Sequence, residues 1–297
     1  MNKKRVLLAG TMALSMTACG GGNSASTDDS SKDGGASASG GSYKVSVILK
    51  TLAAEYWQYV KSGAEDYASE HSDKVTVEVK GPSSETAFDE MQNMIETDLS
   101  SGSYDGVIIS PLQSDTAAQL VSGTKLPIVA IDTNFEAPEV KSFVGTGNEA
   151  AAKKGGEAAV EAAKAAGWTD IKCIEIAGVQ GDQTNTARMN GYKAGVEEAG
   201  GTFLSDEVQY ADATADRATT AMEAIMQTHP EGIAIICANN DDMAMAAARA
   251  AQGHDAYKNT IFLGFNGDRA ACEAILAGQM TMSVAQMAYC LLYTSPS

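Results

Sequence analysis

Short continuous apolar runs, separated by amphipathic stretches, set the pattern of the chain from Tyr43 onward. The clearest unit spans 232–251. Residues 233–238 are apolar without alternation, which reads as a strand buried on both faces, as in a parallel sheet covered by helices. The run stops at Asn239-Asn240-Asp241-Asp242, whose side chains can accept from the free N–H groups of a helix start. The Ala-rich stretch 243–251 then predicts a helix. A buried strand thus delivers polar groups to the carboxyl edge of a sheet, where open α/β sheets bind their ligands.

The same device recurs along the chain. Strands are predicted at 45–49, 75–79, 106–109, 128–131 and 143–144, with helices at 56–68, 86–99 and 115–121 between them. After Gly145-Thr146-Gly147-Asn148 a second series begins. It reads as helix 150–166, strand 171–176, helix 186–199, strand 203–208, helix 218–227, the opening unit, strand 261–265, helix 270–276 and strand 280–285. Two such series predict an α/β protein of two doubly wound, Rossmann-like lobes with parallel sheets joined by a hinge. The first lobe is expected at 43–146 plus 287–289, the second at 147–286.

Both ends of the chain fall outside this pattern. Lys3, Lys4 and Arg5 precede an apolar run over 6–18 that is too short to span a bilayer and reads as a leader. The leader ends Ser15-Met16-Thr17-Ala18-Cys19, which resembles a bacterial lipobox. That resemblance implies cleavage before Cys19 and a lipid on its thiol. Residues 20–42 are Gly, Ser, Ala and Asp with almost nothing apolar, the composition of a flexible tether. After Tyr289 a helix is expected, yet 290–297 reads as translated adapter sequence, which leaves the native C-terminus incomplete.

Charge narrows the choice of partners. The 297 residues carry 21 basic and 38 acidic side chains, a formal net charge of −17. Such a surface repels phosphate backbones and argues against nucleic acid. None of the five cysteines forms a C-x-x-C pair, and Cys173 and Cys237, inside apolar strand runs, are expected to be buried thiols. His71, His229 and His254 fall at helix ends or in loops, where solvated surface is expected. Gly178-Val179-Gln180-Gly181 lacks the residues of a phosphate loop and reads as a plain turn. With no metal-ligand spacing and no nucleophile beside a base, no cofactor, no metal and no catalysis are expected.

The polar groups at strand ends are Lys50, Ser110, Asp132, Asn240 with Asp241, Asn266 and Gln286, and Arg188 stands near a helix start. Tyr56 and Trp57 follow the first strand and supply flat apolar faces. Polar fingers with aromatic plates suit a sugar, which has hydroxyls at its rim and C–H bonds on its faces. Each strand-end group alone is as readily a helix cap, and Lys50 is as readily the partner of Glu55 or Asp132 as a ligand contact.

From Tyr43 to Tyr289 the chain resembles the sugar-binding proteins of bacterial ABC importers, the ribose- and galactose-type periplasmic-binding family with the type I fold. The motifs are Val47-Ile-Leu-Lys-Thr-Leu before Tyr56-Trp57, Asp105-Gly-Val-Ile-Ile-Ser-Pro, Pro127-Ile-Val-Ala-Ile-Asp132, Arg188-Met-Asn-Gly-Tyr, Cys237-Ala-Asn-Asn-Asp-Asp-Met-Ala, Gly264-Phe-Asn-Gly and Ser283-Val-Ala-Gln286. The resemblance implies two lobes joined by three crossings, the third beyond the end of this chain, with a sugar held between them. Arg188, Asn240 and Asp132 would bond hydroxyls or the ring oxygen, and Tyr56 and Trp57 would stack on the ring. Asn266 and Gln286 would contribute from the hinge side, with Asp241 as cap or hinge support. It further implies a monomeric receptor on the outer face of the cytoplasmic membrane, delivering sugar to ABC permease subunits. A sensory receptor for a chemoreceptor or histidine kinase is the alternative. The chain departs from the family at Ala54-Glu55, where Asn-Pro is usual, at Thr133, where ribose binders have Arg, and at Asn266, where Asp is usual. No aromatic stands near 212–216. These departures argue against ribose itself.

Overall fold

The computed structural model describes residues 42–293. The leader, Cys19, nearly all of the tether and residues 294–297 lie outside the described residues. The first lobe is built from β1 (Tyr43–Ile48), α1 (Glu55–Glu70), β2 (Val75–Lys80), α2 (Phe88–Ser100), β3 (Gly106–Ile109), α3 (Ser114–Leu120), β4 (Ile128–Ile131) and β5 (Val140–Val144). Its strands are parallel in the order β2-β1-β3-β4-β5, with Ile48 opposite Lys80 on one side and Ile109 on the other.

The second lobe comprises α4 (Asn148–Ala165), β6 (Lys172–Ala177), α5 (Gln183–Glu198), β7 (Thr202–Phe203), β8 (Gln209–Tyr210), α6 (Ala215–Thr228), β9 (Ile235–Ala238), α7 (Asp241–Ala250), β10 (Ile261–Asn266), α8 (Arg269–Leu276) and β11 (Met282–Ala285). Its order, β11-β10-β9-β6-β7, repeats the winding of the first sheet, and β8 adds a second partner for β6. In both lobes the strand order reverses beside the first strand, at β1/β3 and at β6/β9. The crevice outside the carboxyl ends at such a switch point is where doubly wound sheets hold ligands.

The expected strand over 203–208 is not continuous. Ser205, Asp206 and Glu207 form a short 3-10 turn between β7 and β8. Three successive polar side chains cannot all be buried in a sheet covered on both faces, so the strand breaks there.

Each sheet is buried by helices on its two faces. Ile48, Ile109 and Ile128 pack with Met91 and Ile95 of α2, while Val47 and Leu49 pack with Val60 and Ala64 of α1. In the second lobe Ile174, Ile176 and Ile236 meet α6 and α7, and Cys173, Ile235 and Leu263 meet α4 and α5. Cys173 and Cys237 are buried as expected, with Sγ atoms 3.4 Å apart. After β11 the chain returns to the first lobe as α9 (Ala288–Tyr293), whose Ala288, Leu291 and Leu292 are buried with Val60 and Ala64. The helix thus takes in Cys290–Tyr293, residues the sequence pattern sets aside as foreign.

Helices α4 and α5 approach closely enough that only glycine fits at their crossing. A Cβ at Gly195 would lie 2.0 Å from the Lys153 carbonyl oxygen, and one at Gly191 would lie 2.3 Å from that of Glu149. This contact seats α5, and with it Arg188, against the start of α4.

Candidate functional site

Between the facing carboxyl edges of the two sheets lies a cleft walled by polar side chains. From the first lobe come Lys50 just after β1, Tyr56 and Trp57 in the first turn of α1, Glu85 before α2, and Asp132 after β4. From the second come Asp182, Asn185 and Arg188 around α5, and Asn239, Asn240 and Asp242 after β9, with Asn266 at the end of β10. The free space at its centre is about 40 Å3. That is room for about three waters, so a sugar ring enters only when the lobes part.

Arg188 is the most firmly placed of these groups. Its Nε donates to Asn148 Oδ1 and its Nη1 to the Asn239 carbonyl, each at 2.9 Å. Its guanidinium carbon lies 4.0 Å from the centre of the Phe265 ring, a cation–π contact. Two bonds and a stack fix the plane of the fork, and the remaining N–H groups belong to the cleft wall. Beneath it on β6 stands Glu175, fully buried, with neither carboxylate oxygen hydrogen-bonded. Burial pushes its pKa up to about 8, against the pull of Asn239 and Arg188.

On the opposite wall Tyr56 donates to Asp132 Oδ1 at 2.6 Å, and Trp57 Nε1 donates to Glu85 Oε1 at 3.0 Å. The two rings meet edge to face with centres 4.9 Å apart. Burial and the neighbouring Asp132 carboxylate raise the Tyr56 pKa well above its ordinary value, so the hydroxyl stays a donor.

Direct bonds cross from lobe to lobe. Lys50 Nζ pairs with Asp182 Oδ2, a contact buried on both sides. Thr133 and Thr184 hydroxyls lie 2.8 Å apart, and the Ala270 N–H donates to Glu55 Oε2 at 3.2 Å. Lys50 therefore pairs with neither Glu55 nor Asp132, the two partners the sequence offered. Asp182 is too far along the chain to be matched with it by spacing.

The structure brings Lys50, Tyr56, Trp57, Asp132, Arg188, Asn240 and Asn266 onto the cleft wall. Three other candidates stand behind it. Thr133 donates to Asp132 Oδ2 at 3.0 Å, Gln286 donates to Asn266 Oδ1 at 2.8 Å, and the fully buried Ser110 hydroxyl has no hydrogen-bond partner. Asn240, expected to face the ligand with Asp241 as cap or hinge support, is itself the cap: its Oδ1 accepts from Met243 N at 2.9 Å. Asp241 instead ties α7 to the neighbouring strands, accepting from Asp268 N at 2.8 Å and from Ser283 Oγ at 2.6 Å. The burial that this tie requires raises its pKa, while the bonds from Ser283 and Asp268 oppose the rise.

Glu85, Asp182 and Asn185 are cleft residues that the strand-end pattern does not select, while Asn239 and Asp242 belong to the polar cluster after β9 without being singled out as ligand contacts. Asp182 had a legible signal as the N-cap of α5, where its Oδ1 accepts from Asn185 N at 2.8 Å. Glu85 sits in a polar loop and carries none. The backbone marks the site independently. Among the described residues, the non-glycine positions with positive φ are Asp132 (60°), Asp212 (48°), Ala213 (59°) and Asn266 (141°). Three of the four line the cleft, in keeping with the concentration of backbone strain at binding sites.

Two similarly wound lobes with a buried polar cleft between their carboxyl edges define a two-lobed binding protein that closes around a small ligand. Residues 45–295 match the periplasmic binding protein domain, and the chain belongs to that family. It is 30% identical over 251 residues to the D-allose-binding periplasmic protein of Escherichia coli (strain K12), covering 81% of this chain and 78% of that protein. Against the ribose import binding protein RbsB of Bacillus subtilis (strain 168) it is 27% identical over 248 residues, 82% of this chain and 76% of the other. Among solved structures, the carbohydrate transporter solute binding protein from Agrobacterium radiobacter in complex with D-arabinose superposes with a TM-score of 0.76 at 22% identity, covering 85% of each chain. An ABC transporter periplasmic solute binding protein from Actinobacillus succinogenes 130z with bound D-allose gives 0.72 at 22% identity, covering 85% of this chain and 88% of that one. At these identities the likeness speaks to the fold. Among the described residues no helix is long and apolar enough to cross a membrane.

Proposed function

We propose that the chain is the extracytoplasmic receptor of an ABC importer and captures a monosaccharide between its lobes without chemistry. The observation that carries this reading is the Arg188 fork, fixed by Asn148, Asn239 and Phe265 in the wall of the cleft that Tyr56 and Trp57 also line. A fixed planar donor in one cleft with aromatic rings suits a sugar with hydroxyls at its rim. Asp132 and Asn266 bond further hydroxyls, Thr133 and Gln286 hold those two side chains in place from behind, and Asn240 fixes the start of α7 at the cleft. The relatives named for D-allose and ribose fit this ligand class.

In this reading the lobes close on the sugar, and the closed form docks on the permease. A lipid on Cys19 and the tether over 20–42 keep the monomeric receptor beside its partner and raise its effective concentration. The test is a thermal-shift screen of the purified protein against neutral monosaccharides and inositols, followed by titration of Arg188→Ala. A clear stabilisation by at least one sugar is expected, with affinity lost by at least about 100-fold in the variant. A protein that responds to no member of the panel refutes the reading.

A further inference from the structure

The cleft holds two cations, Lys50 and Arg188, against the carboxylates of Glu85, Asp132, Asp182 and Asp242. The lysine is not at the ligand's disposal. Its ammonium comes from the first lobe and is taken by Asp182 of the second, and both side chains are about 95% buried. The Asp182 carboxylate is itself fixed, because its other oxygen caps α5 through Asn185 N. Burial works against the charge on Lys50, but Asp182, Glu85 and Asp132 outweigh it and raise the lysine pKa. When the lobes close, an anionic ligand would therefore be held against a lysine that Asp182 claims and a wall with a surplus of carboxylates.

We propose that Asp182 is a specificity-determining residue: by binding Lys50 across the cleft it withdraws that charge from the ligand, so that the site takes a neutral sugar and rejects the uronic acid of the same ring. The inference rests on the sugar-binding reading above and adds the sign of charge that the site selects. It works as much by refusal as by attraction, since discrimination between two rings of one shape needs an unfavourable contact with the wrong one. Asn serves at a helix N-cap about as well as Asp. Asp182→Asn thus removes the charge while keeping the start of α5, and leaves Lys50 unpaired in the cleft.

The experiment compares the wild-type protein, Asp182→Asn and the double variant Asp182→Asn/Lys50→Met. Each is titrated calorimetrically with D-galactose and D-galacturonate and with D-glucose and D-glucuronate, and the Lys50 ammonium is followed by NMR across pH. The wild type should prefer the neutral member of each pair it binds. Asp182→Asn should shift the acid-to-neutral affinity ratio by at least about tenfold toward the acid. The double variant should lose that gain, and the Lys50 pKa should fall by more than about one pH unit in the single variant. A ratio that stays within about threefold of wild type, or a gain that survives loss of Lys50, overturns the proposal. If the wild type binds no sugar of the wider screen, it is the sugar reading that fails. The lysine titration then decides alone, and a Lys50 pKa unchanged by Asp182→Asn overturns the claim that Asp182 governs its charge.

Discussion

Glu175→Gln should stabilise the fold at pH 8 and change it little at pH 5. Glu175 lies on β6 with no exposure and no hydrogen bond to either carboxylate oxygen. Burial pushes its pKa from 4.5 to about 8. Between those values the unfolded chain has already lost the proton and the folded chain still holds it. The unfolded state thus binds fewer protons, and stability falls as pH rises through this window. At about 1.4 kcal/mol per tenfold step the gap sets a ceiling of roughly 5 kcal/mol, and relaxation around the ionised group trims it. Glutamine has nearly the same shape and no charge to bury. All other titrating groups, including Asp268, whose pKa burial pushes up to about 7, are common to both proteins and cancel in the comparison. For a chain of this size 1 kcal/mol moves the midpoint by about 2–4 °C. Thermal melts of both proteins at pH 5 and pH 8 should show the Tm difference widening by at least about 5 °C at the higher pH. Parallel pH profiles would mean that Glu175 is ionised in the fold and that its burial has been misjudged.

Two further substitutions test the packing that carries the site. Gly195→Ala places a methyl 2.0 Å from the Lys153 carbonyl oxygen, so α4 and α5 must separate; a loss of at least about 2 kcal/mol in urea unfolding is expected, and a loss under about 0.5 kcal/mol would show that the crossing is loose. Asn240→Ala removes the acceptor for Met243 N and should cost about 1 kcal/mol in the same assay, with Asn240→Asp restoring it.

The winding of both lobes was legible because 106–109, 128–131 and 233–238 are unbroken apolar runs that end in polar residues. Only a sheet covered on both faces uses such strands. Arg188, Asp132 and the aromatic pair were legible for the same reason, since each follows a strand or opens a helix at a carboxyl edge. What was not legible depends on which lobe faces which. For Lys50 the sequence offers Glu55 and Asp132, whereas its partner Asp182 comes from the other lobe. Glu85 reaches the cleft from a loop with no periodicity, and only the donor at Trp57 Nε1 reveals its role. Asn240 and Asp241 are adjacent, and sequence alone does not say which of the two turns toward the helix N–H groups.

The positive φ angles at Asp132, Ala213 and Asn266 bear on how such a receptor changes its ligand over time. At these points the main chain, not a rotamer, sets the shape of the wall. Few residues tolerate such backbone, so most substitutions there alter folding before they alter preference. New specificities are then more accessible through Lys50, Glu85, Asp182 and Asp242, side chains carried on ordinary backbone around a fixed frame. A lineage of these receptors can exchange charge and hydrogen-bonding along the cleft while the backbone-fixed positions of its wall stay in place.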